Sequence, residues 1–147
     1  MSILFFYVKI LYIGAKPEQE DKGRMQIRQS AEDYFEMIYM LKKRKGSVRA
    51  IDIVNEMGFS KPTVSVAMKK FRENGYVVVD DDGNISLTAE GQAIAENIYE
   101  KHMVLAKMLM NLGVDETIAY QDACRMEHCL SDESFTAIKK HMGEHNL

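Results

Sequence analysis

The chain has 147 residues, of which 46% are hydrophobic and 28% charged, a composition typical of a globular protein with one good core or two small ones. Its two cysteines are too few for a disulfide framework, and no convincing secretory signal is present, so we expect a cytoplasmic protein. The net charge of −3 is unevenly spread, because residues 25–86 carry ten basic against nine acidic side chains and residues 87–147 carry five against ten.

The N-terminal segment, residues 1–24, is apolar as far as Ile13 and polar from Pro17 onward. Lys9 interrupts the apolar part, which is shorter than the ~20 residues that a membrane span needs, so we expect no membrane partner. Residues 17–24 are typical of a linker. Because residues 22–24 can be encoded by a purine-rich run that looks like a ribosome-binding site, we expect Met25 to be the true start.

The first predicted helix covers residues 31–45. Ser30 is its expected N-cap, and Asp33 completes a pair that resembles a capping box. Apolar residues follow at helical spacing, and Gly46 ends the helix.

Two shorter helices come next, over residues 48–57 and from a cap at Ser60 to Gly75. Gly58 separates them, and Pro62 stands in the first turn of the second, where proline is tolerated. A short helix, a glycine turn and a capped second helix predict a helix-turn-helix.

The β-prone runs 76–79 and 85–87 flank the segment Asp80-Asp-Asp-Gly-Asn84, which is typical of a tight hairpin turn. A helix-turn-helix followed by a hairpin predicts a winged helix.

Three further amphipathic helices are expected, over residues 89–112, 116–129 and 132–142, with caps at Thr88, Asp115 and Ser131. They offer too few residues for a large separate core, so burial against a second copy is the natural arrangement and predicts a homodimer. The expected fold is therefore mainly α, with a winged helix-turn-helix and its β-hairpin wing over residues 25–87 and a helical dimerisation domain over 88–147.

Side chains of metal-ligand type lie on three of the predicted helices. Cys124, Glu127 and His128 stand at i, i+3 and i+4, a spacing that places a thiolate, a carboxylate and an imidazole on one helix face. The other candidate ligands are Asp33, Glu36 and His102. Together they predict a divalent-metal site that ties two parts of the chain together.

Five of the six candidate ligands also have a structural alternative. Asp33 and Glu36 could be first-turn acids favoured by the helix dipole, and His102 could be a buried core histidine. Cys124 could be a small buried hydrophobe, and Glu127 could pair with Arg125 or a lysine.

A basic stripe occupies residues 61–72, which hold Lys61, Lys69, Lys70 and Arg72 and no acid. Such a stripe fits contact with phosphates, and its structural alternative is a solvated helix face.

The chain from about 30 to 142 resembles the diphtheria toxin repressor and manganese transport regulator family of metal-dependent transcription factors. The matching stretches are Ser30–Tyr34, Ser60–Ser65, Leu87-Thr-Ala-Glu-Gly91 and Asp122–His128 followed by Ser131–Glu133. This resemblance implies a homodimer with an N-terminal winged helix and a helical metal-binding domain. It also implies a manganese-type site that commonly holds two metals, with ligands Asp33, Glu36, His102, Glu127 and His128.

The chain departs from both branches of that family. Cys124 is the residue type of the iron branch, whereas Asp33 is that of the manganese branch, and Ala106 and Tyr120 stand where the iron branch has ancillary-site donors. We expect a short form without the SH3-like domain of the iron branch. A thiolate favours Fe(II) over Mn(II) and the carboxylates pull the other way, so the expected cofactor is Fe(II) or Mn(II).

We therefore expect a metal-dependent DNA-binding regulator of metal-ion homeostasis, a repressor by resemblance, whose partner is a double-stranded operator. Operator contacts are expected from the recognition helix and two backbone anchors, namely Ser60, Lys61, Pro62, Thr63, Ser65, Val66 and Lys69, with Arg49 and Lys70 as the anchors. The alternatives are a winged-helix regulator that does not respond to metal and a small metallohydrolase. Because the sequence offers no further nucleophile or cleft-forming loop, we expect no enzyme and no catalytic residue.

Overall fold

The computed structural model describes residues 23–144, with side chains from residue 29 onward. The predicted N-terminal extension, or mis-assigned start, covers residues 1–24, and only residues 23 and 24 of it are among the described residues. The elements are α1 (Gly23–Lys45), α2 (Ala50–Met57), α3 (Lys61–Glu73), β1 (Val77–Val79), β2 (Ile85–Leu87), α4 (Ala89–Asn111), α5 (Glu116–Met126) and α6 (Asp132–Glu144). The expected fold, mainly helical with a winged helix-turn-helix and a helical C-terminal part, is confirmed.

Contacts divide the described residues into two compact units, 23–96 and 97–144, and the division falls within α4. Each unit has its own buried apolar residues and is described by itself. Within the described residues, no helix is long and apolar enough to cross a membrane.

The N-terminal unit is organised around one buried side of α1. Aromatic rings pack there edge to face, with Phe35 against Phe71 at a centroid distance of 4.9 Å and Tyr34 against Phe71 at 5.4 Å. Phe71 belongs to α3, so these contacts bury one face of α3 and leave the opposite face in solvent.

The helix-turn-helix follows the predicted chemistry closely. Gly58 ends α2 in the left-handed region, with φ of 70°, where a residue without a side chain avoids strain. Ser60 then caps α3, since its hydroxyl accepts a hydrogen bond from the backbone N–H of Thr63 at 3.2 Å.

The hairpin between β1 and β2 is the predicted wing. Its strands pair antiparallel, and the Asp80 carboxylate closes the turn by accepting a hydrogen bond from the backbone N–H of Asn84 at 2.8 Å. Hydrogen bonds from Asn84 and from the backbone N–H of Asp82 lower the pKa of Asp80. The Ile85 N–H donates to the Val48 carbonyl at 2.7 Å, so the wing is joined to the start of the helix-turn-helix.

The junction between the wing and α4 explains why threonine and glycine occur in the stretch Leu87-Thr-Ala-Glu-Gly91. The Thr88 hydroxyl donates to the Gly75 carbonyl at 2.8 Å and accepts from the Gly91 N–H at 3.2 Å, so Thr88 caps α4 as predicted. Gly91 is required because a β-carbon there would overlap the backbone carbonyl oxygen of Tyr76.

The C-terminal unit packs the second half of α4 with α5 and α6 around a small cluster of Leu105, Ala106 and Ala123. The predicted caps are confirmed, because Asp115 accepts from the Thr117 N–H at 3.0 Å and Ser131 from the Ser134 N–H at 3.2 Å.

The predicted start of the first helix is wrong. The helix begins at Gly23, so Ser30 lies inside it rather than at its N-cap, and the last two residues of the predicted linker are helical. The physical reason is that residues 24–30 contain no helix breaker, and extending a helix costs far less than nucleating one.

The predicted end of the fifth helix is also wrong. α5 stops at Met126, three residues early, since the Cys129 N–H donates to the Met126 carbonyl at 3.0 Å and so forms a tight turn. Glu127 keeps a helical backbone as the C-cap residue, whereas His128 lies in the turn.

The contact at Gly91 yields the first prediction. Gly91→Ala should lower the free energy of unfolding by about 1–3 kcal/mol, because the added methyl group overlaps the Tyr76 carbonyl and separates the wing from α4. Thermal unfolding followed by circular dichroism measures the change. The control is Gly143→Ala on α6, where no atom lies within 4 Å of the new carbon and stability should stay equal or rise by up to about 1 kcal/mol. Equal destabilisation by both variants would contradict the explanation.

Candidate metal centre and nucleic-acid interface

The carboxylate of Glu127 lies between two imidazoles in the C-terminal unit. Its Oε2 is 2.6 Å from Nδ1 of His102, and its Oε1 is 3.3 Å from Nε2 of His128. Glu127 and His102 are each only 1% exposed, although both are polar. We call these three residues the Glu127 cluster. One residue of α4, the C-cap residue of α5 and the residue after it thus converge on one buried point.

The chemistry of the Glu127 cluster suits a divalent cation. Burial, together with the nearby His128, lowers the pKa of His102 from its ordinary 6.5 to about 3. His102 is therefore neutral at physiological pH, which is the form that coordinates metals. If its Nδ1 donates a hydrogen to Glu127, its lone pair is at Nε2, where a metal could bind.

Cys124 and Cys129 form no disulfide with each other, as predicted. Cys124 is half-buried one helical turn before Glu127, on the side of α5 that the spacing predicted, while Cys129 is exposed in the turn after α5. The alternative pairing of Glu127 with Arg125 is not formed, because Arg125 donates instead to Asp122 at 3.3 Å.

Asp33 and Glu36 lie on α1 in the N-terminal unit. Glu36 has 0% exposure and Asp33 is half-buried. Since α1 begins at Gly23, neither acid is in its first turn, and the alternative that the helix dipole accounts for them is wrong. A fully buried carboxylate needs compensating positive charge or hydrogen bonds, and a cation would supply the former.

Two side chains near the Glu127 cluster were not among the residues predicted for the site. Tyr120 stacks on the His102 ring with centroids 5.6 Å apart and ring planes at 18°. Lys101 is buried and donates to Asp132 at 2.9 Å, which joins α4 to the start of α6. The spacing of seven residues between Tyr120 and Glu127 could have indicated that both lie on one side of α5.

Every residue predicted to contact DNA is exposed in the N-terminal unit. Seven of them lie on α3 or at its N-cap and form the solvent face of that helix: Ser60, Lys61, Pro62, Thr63, Ser65, Lys69 and Lys70. Val66 lies on the same helix and is 69% exposed, which is unusual for a valine.

Arg49 lies beside the wing rather than on the recognition helix. It forms an isolated backbone bridge with Asn84, and its charge helps to lower the pKa of Asp80. Its position immediately before α2 therefore links the helix-turn-helix to the hairpin.

Family comparisons match both halves of the chain. Residues 26–85 match the N-terminal DNA binding domain of the iron dependent repressors, and residues 88–146 match their metal binding and dimerisation domain. The chain belongs to the iron-dependent repressor family. As a member it is a DNA-binding transcriptional regulator with a metal-binding and dimerisation domain, and the family consists of transcriptional regulators rather than enzymes.

Individual family members are similar to this chain over most of its length. The transcriptional regulator MntR of Escherichia coli O6:H1 is 32% identical over 133 residues, which cover 87% of this chain and 86% of that protein. The HTH-type regulator MntR of Lysinibacillus sphaericus is 32% identical over 109 residues, 74% of this chain and 78% of the relative.

Solved structures of family members share the fold. The manganese regulator SloR aligns with a TM-score of 0.67 and 31% identity over 77% of this chain. A manganese-dependent repressor in complex with manganese aligns with a TM-score of 0.65 and 26% identity. This chain spans about half the length of these two chains, 53% and 52%.

The depressed pKa of His102 yields the second prediction. In the metal-free protein the His102 ring signals in NMR spectra should not titrate between pH 7.5 and pH about 4, because burial disfavours the charged form. The unfolded chain binds this proton below pH about 6.5 and the folded chain does not, so the metal-free protein should lose stability as pH falls from about 6.5 towards 3. A His102 midpoint near pH 6.5 would show that the ring is not held in this environment.

Proposed function

We propose that this protein is a repressor of metal-ion homeostasis genes whose binding to a DNA operator depends on Fe(II) or Mn(II). The observation that carries the proposal is the buried Glu127 carboxylate between His102 and His128. A transcriptional regulator acts where the chromosome is, so we place it in the cytoplasm. We propose no enzymatic activity, because the same donors serve a regulatory site without needing a nucleophile or a substrate cleft.

The proposed ligands have in common a donor atom suited to a first-row divalent cation. They are Asp33, Glu36, His102, Cys124, Glu127 and His128. Imidazole nitrogens suit most of these metals, the carboxylates favour Mn(II), and the thiolate of Cys124 favours Fe(II). The mixture supports Fe(II) or Mn(II), and the number of carboxylates allows for a site with two metals.

The burial of the carboxylates supports a role for a cation in the fold. An ionised carboxylate that loses its water costs several kcal/mol unless positive charge replaces it. Both Glu36 and Glu127 are buried, one in each compact unit. A divalent cation bound at this site would neutralise carboxylates from α1 and from the C-terminal unit at once.

We infer the regulatory mechanism from that shared neutralisation. Without bound cation, carboxylates from the two domains repel one another, and the DNA-binding domain is free to adopt angles that do not fit an operator. In a homodimer, that angle sets the distance between two recognition helices, which must be about 34 Å to read successive major grooves. A preference for the productive angle of ~1–3 kcal/mol would raise DNA affinity about 5- to 150-fold.

The exposed face of α3 suits operator recognition. Its lysines and hydroxyl groups can contact phosphates and base edges, while the exposed side chains of Pro62 and Val66 can contact thymine methyl groups. Because phosphate contacts carry little sequence information, we propose that the lysines set affinity and that Val66 contributes to sequence preference.

The role of Glu127 is tested by Glu127→Gln, the third prediction. The change keeps the side-chain volume and removes the charge, so metal-dependent operator binding should be lost while the fold and the dimer remain. The measurement is fluorescence anisotropy with a labelled duplex selected from a randomised library, titrated anaerobically with Fe(II), Mn(II), Co(II) and Zn(II) and then with chelator. Glu133→Gln, at an exposed position on α6, is the control and should behave as the original protein does. Equal DNA affinity of the original protein with and without chelator would contradict the proposal.

The recognition helix gives the fourth prediction, with a closely matched pair of lysines. Lys69 is 69% exposed and 3.9 Å from Glu73, and Lys140 on α6 is 75% exposed and 3.7 Å from Glu144. Lys69→Gln should weaken binding to all sequences and reduce the slope of log K against log salt by about 1, because one phosphate contact is lost. Lys140→Gln should leave both quantities unchanged. An unchanged salt slope in Lys69→Gln would exclude a phosphate contact for Lys69.

A further inference from the structure

Tyr120 contacts the candidate metal centre without belonging to the predicted ligand set. Its ring lies nearly parallel to the His102 imidazole, at 18° between planes and 5.6 Å between centroids. Tyr120 stands seven residues before Glu127, two helical turns away, so α5 presents both residues on the same side. One helix therefore contacts His102 at two places.

The two contacts restrain different motions of the His102 ring. The hydrogen bond between Nδ1 of His102 and Oε2 of Glu127 fixes the direction in which that edge of the ring points. Rotation about the bond that joins the ring to the side chain is soft and has broad energy minima, so the hydrogen bond alone leaves the tilt of the ring loosely defined. A parallel aromatic neighbour restrains that tilt.

The position of Tyr120 is itself maintained by the core of the C-terminal unit. Its ring packs against the cluster of Leu105, Ala106 and Ala123, all of which are at most 1% exposed. The alanines are small enough to leave space for an aromatic ring beside His102. Tyr120 is thus partly buried, and the core cluster supports it on the side of its ring that packs there.

We propose that Tyr120 is a positioning residue that holds the His102 imidazole at the tilt required for metal coordination. The inference rests on the proposed function, since it concerns the same site. Groups that orient a metal ligand typically affect metal affinity 10- to 100-fold when they are removed. The aromatic ring provides this effect, and the hydroxyl group is not needed for it.

Three variants separate positioning from packing, as the fifth prediction. Tyr120→Leu keeps apolar volume and loses the planar stack, so it should bind Co(II) about 10-fold more weakly and change the visible ligand-field spectrum of the bound ion. Tyr120→Phe keeps the stack and should restore the original affinity and spectrum. Ile138→Ala removes an apolar side chain packed against the same cluster, so it should lower the melting temperature and leave Co(II) binding unchanged.

A measurement on the original protein makes the test independent of how the variants fold. The Tyr120 ring should shift the His102 ring protons upfield in NMR spectra, and this shift should persist when the diamagnetic ion Zn(II) is bound. Loss of the shift on Zn(II) binding would show that the stack is broken in the loaded site and would overturn the proposal.

The remaining outcomes of the Co(II) measurements also test the proposed role of Tyr120. Unchanged Co(II) affinity and spectrum in Tyr120→Leu, or a Tyr120→Phe variant as weak as Tyr120→Leu, would rule out a positioning role for the ring. If the original protein itself binds no Co(II), the proposed function fails as a whole. Tight binding by the original protein together with unaffected variants would leave the proposed function standing and reject only the role of Tyr120.

Discussion

The burial of the Glu127 carboxylate between His102 and His128 is the constraint on which the C-terminal unit depends. A protein interior disfavours an isolated charge by several kcal/mol, so the surrounding residues have to supply hydrogen bonds and compensating charge. His102 supplies a hydrogen-bonding nitrogen, His128 approaches the other carboxylate oxygen, the end of α5 positions the carboxylate, and Tyr120 covers one face of His102. The resulting arrangement is polar at its centre and apolar around it, as metal sites in proteins commonly are.

The N-terminal unit uses different interactions for a different task. Its recognition helix has to be rigid on one side and exposed on the other. The rings of Tyr34 and Phe35 pack against Phe71 on the inner face, and the Ser60 hydroxyl accepts from the Thr63 N–H in the first turn of α3. The wing is tied to the start of α4 through Thr88 and Gly91. The polar outer face of α3 is consequently available for contact with a nucleic acid.

The proposed ligand set is a hybrid because its residues come from two compact units. Glu36 and Asp33 belong to α1, which packs against the recognition helix α3. The Glu127 cluster belongs to the part of the chain that matches the metal binding and dimerisation domain of the family.

Most of the local structure could be predicted from the sequence, because it depends on interactions between residues close together in the chain. Ser60, Thr88, Asp115 and Ser131 cap helices with their own side chains, and a turn of aspartates, glycine and asparagine closes the wing. The same local reasoning failed at two helix ends. It placed a start at Ser30, although helix propagation from Gly23 costs little, and it extended α5 past Met126, where a tighter turn satisfies the backbone.

The sequence by itself determined the family, the order of the elements and the residue types able to hold a metal, since each of these depends on composition and spacing. Only the tertiary structure decided which donors are buried, that Glu127 lies between two imidazoles, and that Tyr120 stacks on His102. The contacts of His102 with Tyr120 and with Glu127 join residues 18 and 25 positions apart in the chain, and helical spacing carries no information about contacts between different helices. The packing of α4 against α5 therefore converts a list of candidate ligands into a site with a defined geometry.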